Sequence, residues 1–163
     1  MRLSRVILFL LICTFIAQSA IYYFILPDMV AAHFNGAGKP DSWWPKAWFF
    51  VFDAAILLIL VSEFTLVPRW IEKMPGSMMN LPNKKYWLAP ERRADTFMVF
   101  RQYFEWFAVL LLALFIVVNQ LVFRANMRHE DLNAAGIWAV IAIFLVSVII
   151  WLAKLINHFR TVN

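Results

Sequence analysis

Four apolar runs, at positions 6–26, 47–67, 104–123 and 134–156, constrain this chain more than any other feature. Each is close to the ~20 residues an α-helix needs to cross a hydrocarbon core ~30 Å thick. No water in that core satisfies backbone N–H and C=O groups, so each run must satisfy its own, which selects the helix. Composition agrees. The chain is 63% hydrophobic and only 15% charged, where a soluble domain carries about 25% charged residues. The expectation is an all-α integral membrane protein, a four-transmembrane-helix bundle forming one domain over residues 1–163. The first run opens behind Arg2 and Arg5 and passes Ala17-Gln18-Ser19, as a signal peptide would. It continues to Leu26, past the ~7–15 apolar residues of a signal sequence, and reads as a retained helix.

Lysine and arginine orient the bundle. Four spans put both termini on one side together with the loop 68–101, which holds Arg69, Lys73, Lys84, Lys85, Arg92, Arg93 and Arg101. Arg2, Arg5, Lys154 and Arg160 join them there, against Lys39, Lys46, Arg124 and Arg128 on the other side. The positive-inside rule then places both termini in the cytoplasm and the loops 27–46 and 124–133 outside. The net charge of +5 reflects this bias. It fits contact with lipid head groups and gives no reason to invoke nucleic acid.

The two longer loops hold the unusual residues. The outer loop carries Asp28, His33, Asn35, Gly36, Gly38, Pro40 and Asp41. It reads as a rigid cap in which His33 and Asn35 bond loop backbone and both glycines supply positive φ. Trp43, Trp44 and Trp48, with Tyr22 and Tyr23, suit an aromatic belt at the membrane surface. The inner loop carries Asn83, Tyr86 and Trp87, the aromatics serving as interfacial anchors. Pro90 is suited to open the third helix, with Glu91 and Asp95 at its positive end.

Acids within spans need partners. Glu105 follows Arg101 by one helical turn and Glu63 lies near Arg69 and Lys73, so both have local candidates. Asp53 has no basic neighbour in sequence and should meet Gln18, Asn119 or Gln120 inside the bundle. A structural bond between helices and proton or ion handling are both readings of such a residue. Cys13 excludes an intrachain disulfide and reads as a small core residue. Asp28, His33, Asp41 and His129 are of metal-ligand type, but no H-x-x-x-H or H-E-x-x-H spacing accompanies them. No serine stands in a recognisable triad order and no phosphate-binding glycine loop is present, so neither an enzyme nor a cofactor is expected.

Leu26-Pro27, His33-Phe34-Asn35 and Gly38-Lys39-Pro40-Asp41, with the run Asn80 to Arg93, resemble the DUF1648 family of bacterial membrane proteins. That domain also occurs at the start of SdpI-type immunity proteins. Ala31 stands where relatives often carry proline. The resemblance covers about residues 10–93 and implies family more than mechanism; it supplies no catalytic residues. The reading that follows is a non-enzymatic binding, sensing or immunity-like protein acting through His33, Asn35 and Asp41, with Asn83, Tyr86 and Trp87 as a second centre. The alternatives are a small transporter using Asp53, or an accessory subunit with a membrane-protein partner or a second copy of itself.

Overall fold

The computed structural model describes residues 2–161. Helix α1 spans Leu3–Ile25, α2 Lys46–Lys73, α4 Arg93–Arg128 and α5 Ala134–Arg160, and a single turn, α3, spans Lys84–Trp87. The four long helices are each long and apolar enough to cross a membrane. Between α1 and α2 lies an antiparallel hairpin, β1 Met29–Phe34 and β2 Pro40–Pro45. The expected rigid cap is therefore a piece of β-structure.

Helix α4 is the spine. Its 36 residues extend about 54 Å at 1.5 Å per residue, well beyond the hydrocarbon core. The other three long helices each pack on α4, whereas α1 and α2 scarcely touch. Phe15 stacks on Phe115 to hold α1, Phe64 meets Phe107 to hold α2, and Trp151 lies against Phe107 to hold α5. Most large side chains of α1, α2 and α5 point away from these seams and are exposed, Phe9, Leu58 and Ile143 among them. In lipid that outward apolar surface is solvated rather than wasted. Cys13 belongs to it, exposed rather than in the core as expected.

Buried residues run along the α4 seam, where Phe15, Ala108 and Leu112 are enclosed, and gather at both ends. At the hairpin end Leu26, Val30, Phe49 and Phe123 form one cluster. At the end holding the termini, Phe159 stacks on Phe100 at 4.6 Å, beside buried Phe97.

Neither interfacial acid takes the partner its spacing suggested. Glu105 accepts from Ser4 at 2.6 Å and pairs with Arg5 at 2.8 Å, tying α4 to α1. Arg101 reaches across to Glu72 of α2 at 3.0 Å. Glu63 has no ion pair among the described residues. Spacing along one helix loses here because neighbouring helices bring partners at equal distance and in better orientation.

Candidate functional site: a hairpin cap docked on the central helix

The turn of the hairpin is built by Asn35. Its side-chain oxygen accepts from the N–H groups of Ala37 (2.9 Å) and Lys39 (3.1 Å), the local bonding that makes asparagine a turn residue. Gly38 N–H closes on Asn35 O at 2.8 Å and Asn35 N–H on Lys39 O at 2.9 Å. Gly38 takes φ +84°, completing a turn followed by a bulge. Gly36 does not have positive φ, contrary to expectation; only one left-handed residue is needed to match the twist of the strands.

Gly38 is also where the two connections on this side meet. Its carbonyl accepts from Leu132 N–H at 2.8 Å, and a Cβ at Gly38 would run into the Leu132 carbonyl oxygen. Gly38→Ala should therefore destabilise by about 1–2 kcal/mol through left-handed strain alone. Gly36→Ala, with nothing within 4 Å, should change stability by less than about 0.5 kcal/mol, as surface substitutions do. Equal thermal midpoints for the two variants would contradict this contact.

The hairpin is fastened to α4 by Asn126, a buried residue absent from the sequence-based candidates. Its Oδ1 accepts from Ala31 N–H at 2.6 Å, while its Nδ2 donates to Ala31 O at 3.1 Å and to Val122 O at 3.0 Å. The amide thus pairs with β1 much as a neighbouring strand would, and satisfies polar groups on an edge that burial cuts off from water. The open end of the hairpin is closed by Lys46. Its Nζ donates to Leu26 O at 3.1 Å and lies 3.2 Å from Asp28, and its backbone N–H bonds Asp28 O.

Two register irregularities decide which way the cap residues face. Ala31 pairs with Trp43 and His33 with Ser42, leaving Ala32 as an extra residue; a second shift follows before Phe34 pairs with Pro40. Such bulges re-aim side chains. Met29, Ala31, Phe34, Pro40 and Trp43 face a cleft of about 230 Å³, opposite His129, Glu130 and Asp131. His33 and Asp41 do not line it. They pair with each other, Nδ1 to Oδ1 at 2.5 Å, with side chains 70% and 43% exposed.

The sequence-based candidates are therefore distributed rather than convergent. Among the described residues no three His, Cys, Asp or Glu side chains form a group able to hold a metal. Asp28 is turned to Lys46, His33 to Asp41, and His129 caps α4 in a left-handed conformation at φ 54°. Asp53 is buried, and both its oxygens accept from Asn119 Nδ2 at 2.9 Å. The Ser19 hydroxyl is buried at the same carboxylate, outside hydrogen-bond geometry. Gln18 does not reach Asp53. It donates to Gln120 at 2.9 Å, and Gln120 in turn donates to the Tyr22 hydroxyl at 2.6 Å. These contacts form a polar seam joining α1, α2 and α4.

At the far end, Asn83 and Trp87 close the last turn of α5. Asn83 Nδ2 donates to Phe159 O and Arg160 O, and Trp87 Nε1 to Phe159 O at 2.9 Å. Terminal helix carbonyls lack partners within the helix, and these donors supply them. Asn83 is left-handed, at φ 51°, which asparagine tolerates better than most residues. Arg92 lies 4.1 Å over the Tyr86 ring.

Four long apolar helices joined at one end by a docked hairpin define a multi-pass membrane protein. Residues 9–59 match the family model DUF1648, a domain of unknown function, in agreement with the resemblance seen in the motif of residues 26–41. The match takes in α1, the hairpin and the start of α2; the Asn80 to Arg93 run lies outside it. No curated protein and no solved structure matches the chain.

Proposed function

We propose that this is an inner-membrane recognition protein, with both termini in the cytoplasm, that binds a peptide or protein segment on the outer face of its hairpin cap. The observation that carries the reading is the contrast between the anchored and the exposed parts of the hairpin. One is bonded to Asn126 and packed against α4. The other holds His33, Asp41 and Trp44 exposed on a fixed frame, while Trp43 borders the cleft on the anchored side. Aromatic side chains beside a polar pair are the residue types that carry binding energy at protein interfaces. The basic residues gathered at the opposite end favour the orientation.

Geometry gives less support to ion handling at Asp53, because that carboxylate is engaged by Asn119 and does not line the cleft beside the hairpin. An immunity-like role is one form the recognition could take, the bound segment then being a toxic peptide.

The test uses a membrane-impermeant amine crosslinker on intact spheroplasts, reacting at exposed Lys39 in the turn. A discrete adduct is expected from the native chain and at least a tenfold weaker one from His33→Ala/Asp41→Ala. Both pair members are substantially exposed, so the double variant should lose no more than about 0.5–1 kcal/mol of stability. An undiminished adduct in a correctly folded double variant would sink the proposal, as would a Lys39 that reacts only after lysis.

A further inference from the structure

Because α1 and α2 both lean on α4 without closing on each other, a groove of about 310 Å³ opens between them at the end holding the termini. Leu57, Leu60, Ala108 and Leu112 line its depth, and Arg5, Arg69, Arg101 and Glu105 its mouth. Along α4 the step from Arg101 to Leu112 is about 16 Å at 1.5 Å per residue. The groove thus passes from a net positive mouth to a wholly apolar floor, in the direction in which a bilayer passes from head group to acyl chain.

The mouth is only partly neutralised. Glu105 holds Arg5 at 2.8 Å and Glu72 holds Arg101 at 3.0 Å. Arg69 is exposed and has no hydrogen-bond or ion-pair partner among the described residues.

We infer that this groove seats an anionic phospholipid, its phosphate against Arg69 and the outer edge of Arg101, one acyl chain lying along Leu60 and Leu112. Guanidinium groups match phosphate oxygens in geometry as well as charge. A transmembrane helix is a poorer fit for the same space. Close helix packing in lipid favours glycine, alanine and serine, and of these the groove has only Ala108, the rest of its apolar wall being leucine, valine, phenylalanine and proline. The inference stands apart from the cap: it concerns the opposite end of the molecule and survives if the cap binds nothing.

Native mass spectrometry of the full chain in detergent tests it, with phosphatidylglycerol and phosphatidylcholine of matched chains added in equal amounts. Phosphatidylglycerol should be retained about fivefold over phosphatidylcholine, the ratio expected for one basic side chain near a surface phosphate. Arg69→Gln should bring the two lipids to near equality. Leu60→Trp should fill the floor and displace both, and glycerol phosphate should not compete. Equal retention of the two lipids by the native chain would overturn the inference. So would undiminished preference in Arg69→Gln, displacement by glycerol phosphate, or a dimer in place of the lipid adduct. Should Leu60→Trp fail to fold, Arg69→Gln still decides, because Arg69 is exposed and bonded to nothing that holds the bundle together.

Discussion

Asn126→Ala is expected to destabilise the protein by about 2–4 kcal/mol, because two buried backbone groups lose their partners and each unsatisfied group costs about 1–3 kcal/mol. The groups are Ala31 N–H and Ala31 C=O, both bonded by the one amide. Ala31 is 5% exposed, so water does not readily replace the lost bonds. Amide hydrogen exchange at Ala31 should accelerate more than at Ala37, whose N–H is held by Asn35 within the turn itself. Asn126→Asp sharpens the test. It keeps an acceptor for Ala31 N–H but sets a carboxylate against the carbonyls of Ala31 and Val122, so it should rescue little. A loss below about 0.5 kcal/mol for Asn126→Ala, the size of an ordinary surface substitution, would mean that the hairpin does not depend on α4 for its position.

Asn119→Leu is the second large effect, at about 2–3 kcal/mol, the scale of a hydrogen bond to a charged or strongly polar group left unmade. It strips Asp53 of the side chain that bonds both its oxygens and leaves the buried carboxyl with only the Ser19 hydroxyl beside it. The double variant Asp53→Leu/Asn119→Leu should be more stable than Asn119→Leu alone, since removing both members of a buried polar pair removes the penalty as well as the bond. Unfolding midpoints in mixed detergent measure the cycle, and strictly additive losses would show that the pair is not coupled. Asp53→Asn preserves a hydrogen-bonding partner for Asn119 and should keep most of the stability. If that variant were stable yet abolished an ion flux in proteoliposomes, the seam would have to be reassigned to transport.

The sequence reading and the structure part company at identifiable residues. The four spans were legible because lipid imposes one solution on a long apolar run. The hairpin was not. Met29 to Phe34 lacks a clean alternation of apolar and polar residues, and the bulge at Ala32 breaks what alternation exists. Asn35, Gly38 and Pro40 signal a turn, but the residues on either side carry no strand pattern of their own. Asn126 did have a signal. It follows Asn119 by two helical turns, with Phe123 between them, so the three share one face of α4. Two asparagines framing a buried aromatic mark a face that meets something polar at both ends.

Asn83 and Trp87 were legible as unusual residues but not as donors to the last turn of α5, because Phe159 and Arg160 are more than seventy positions away in sequence.

By itself the sequence determined that this chain crosses a membrane with four helices and that a distinctive turn separates the first two. Both follow from local physics, the burial of apolar runs in lipid and the turn chemistry of Asn35 and Gly38. Only the tertiary structure decided what each polar residue is for. Asn126 and Arg101 have several candidates within reach of their own helix, and Asp53 has several across the bundle. The packing of α1, α2 and the hairpin on α4 selects among them by bringing distant groups to hydrogen-bond distance. The same packing sets His33 and Asp41 outward, and it leaves α1 and α2 apart, so that a groove with an unpaired Arg69 at its mouth opens between them.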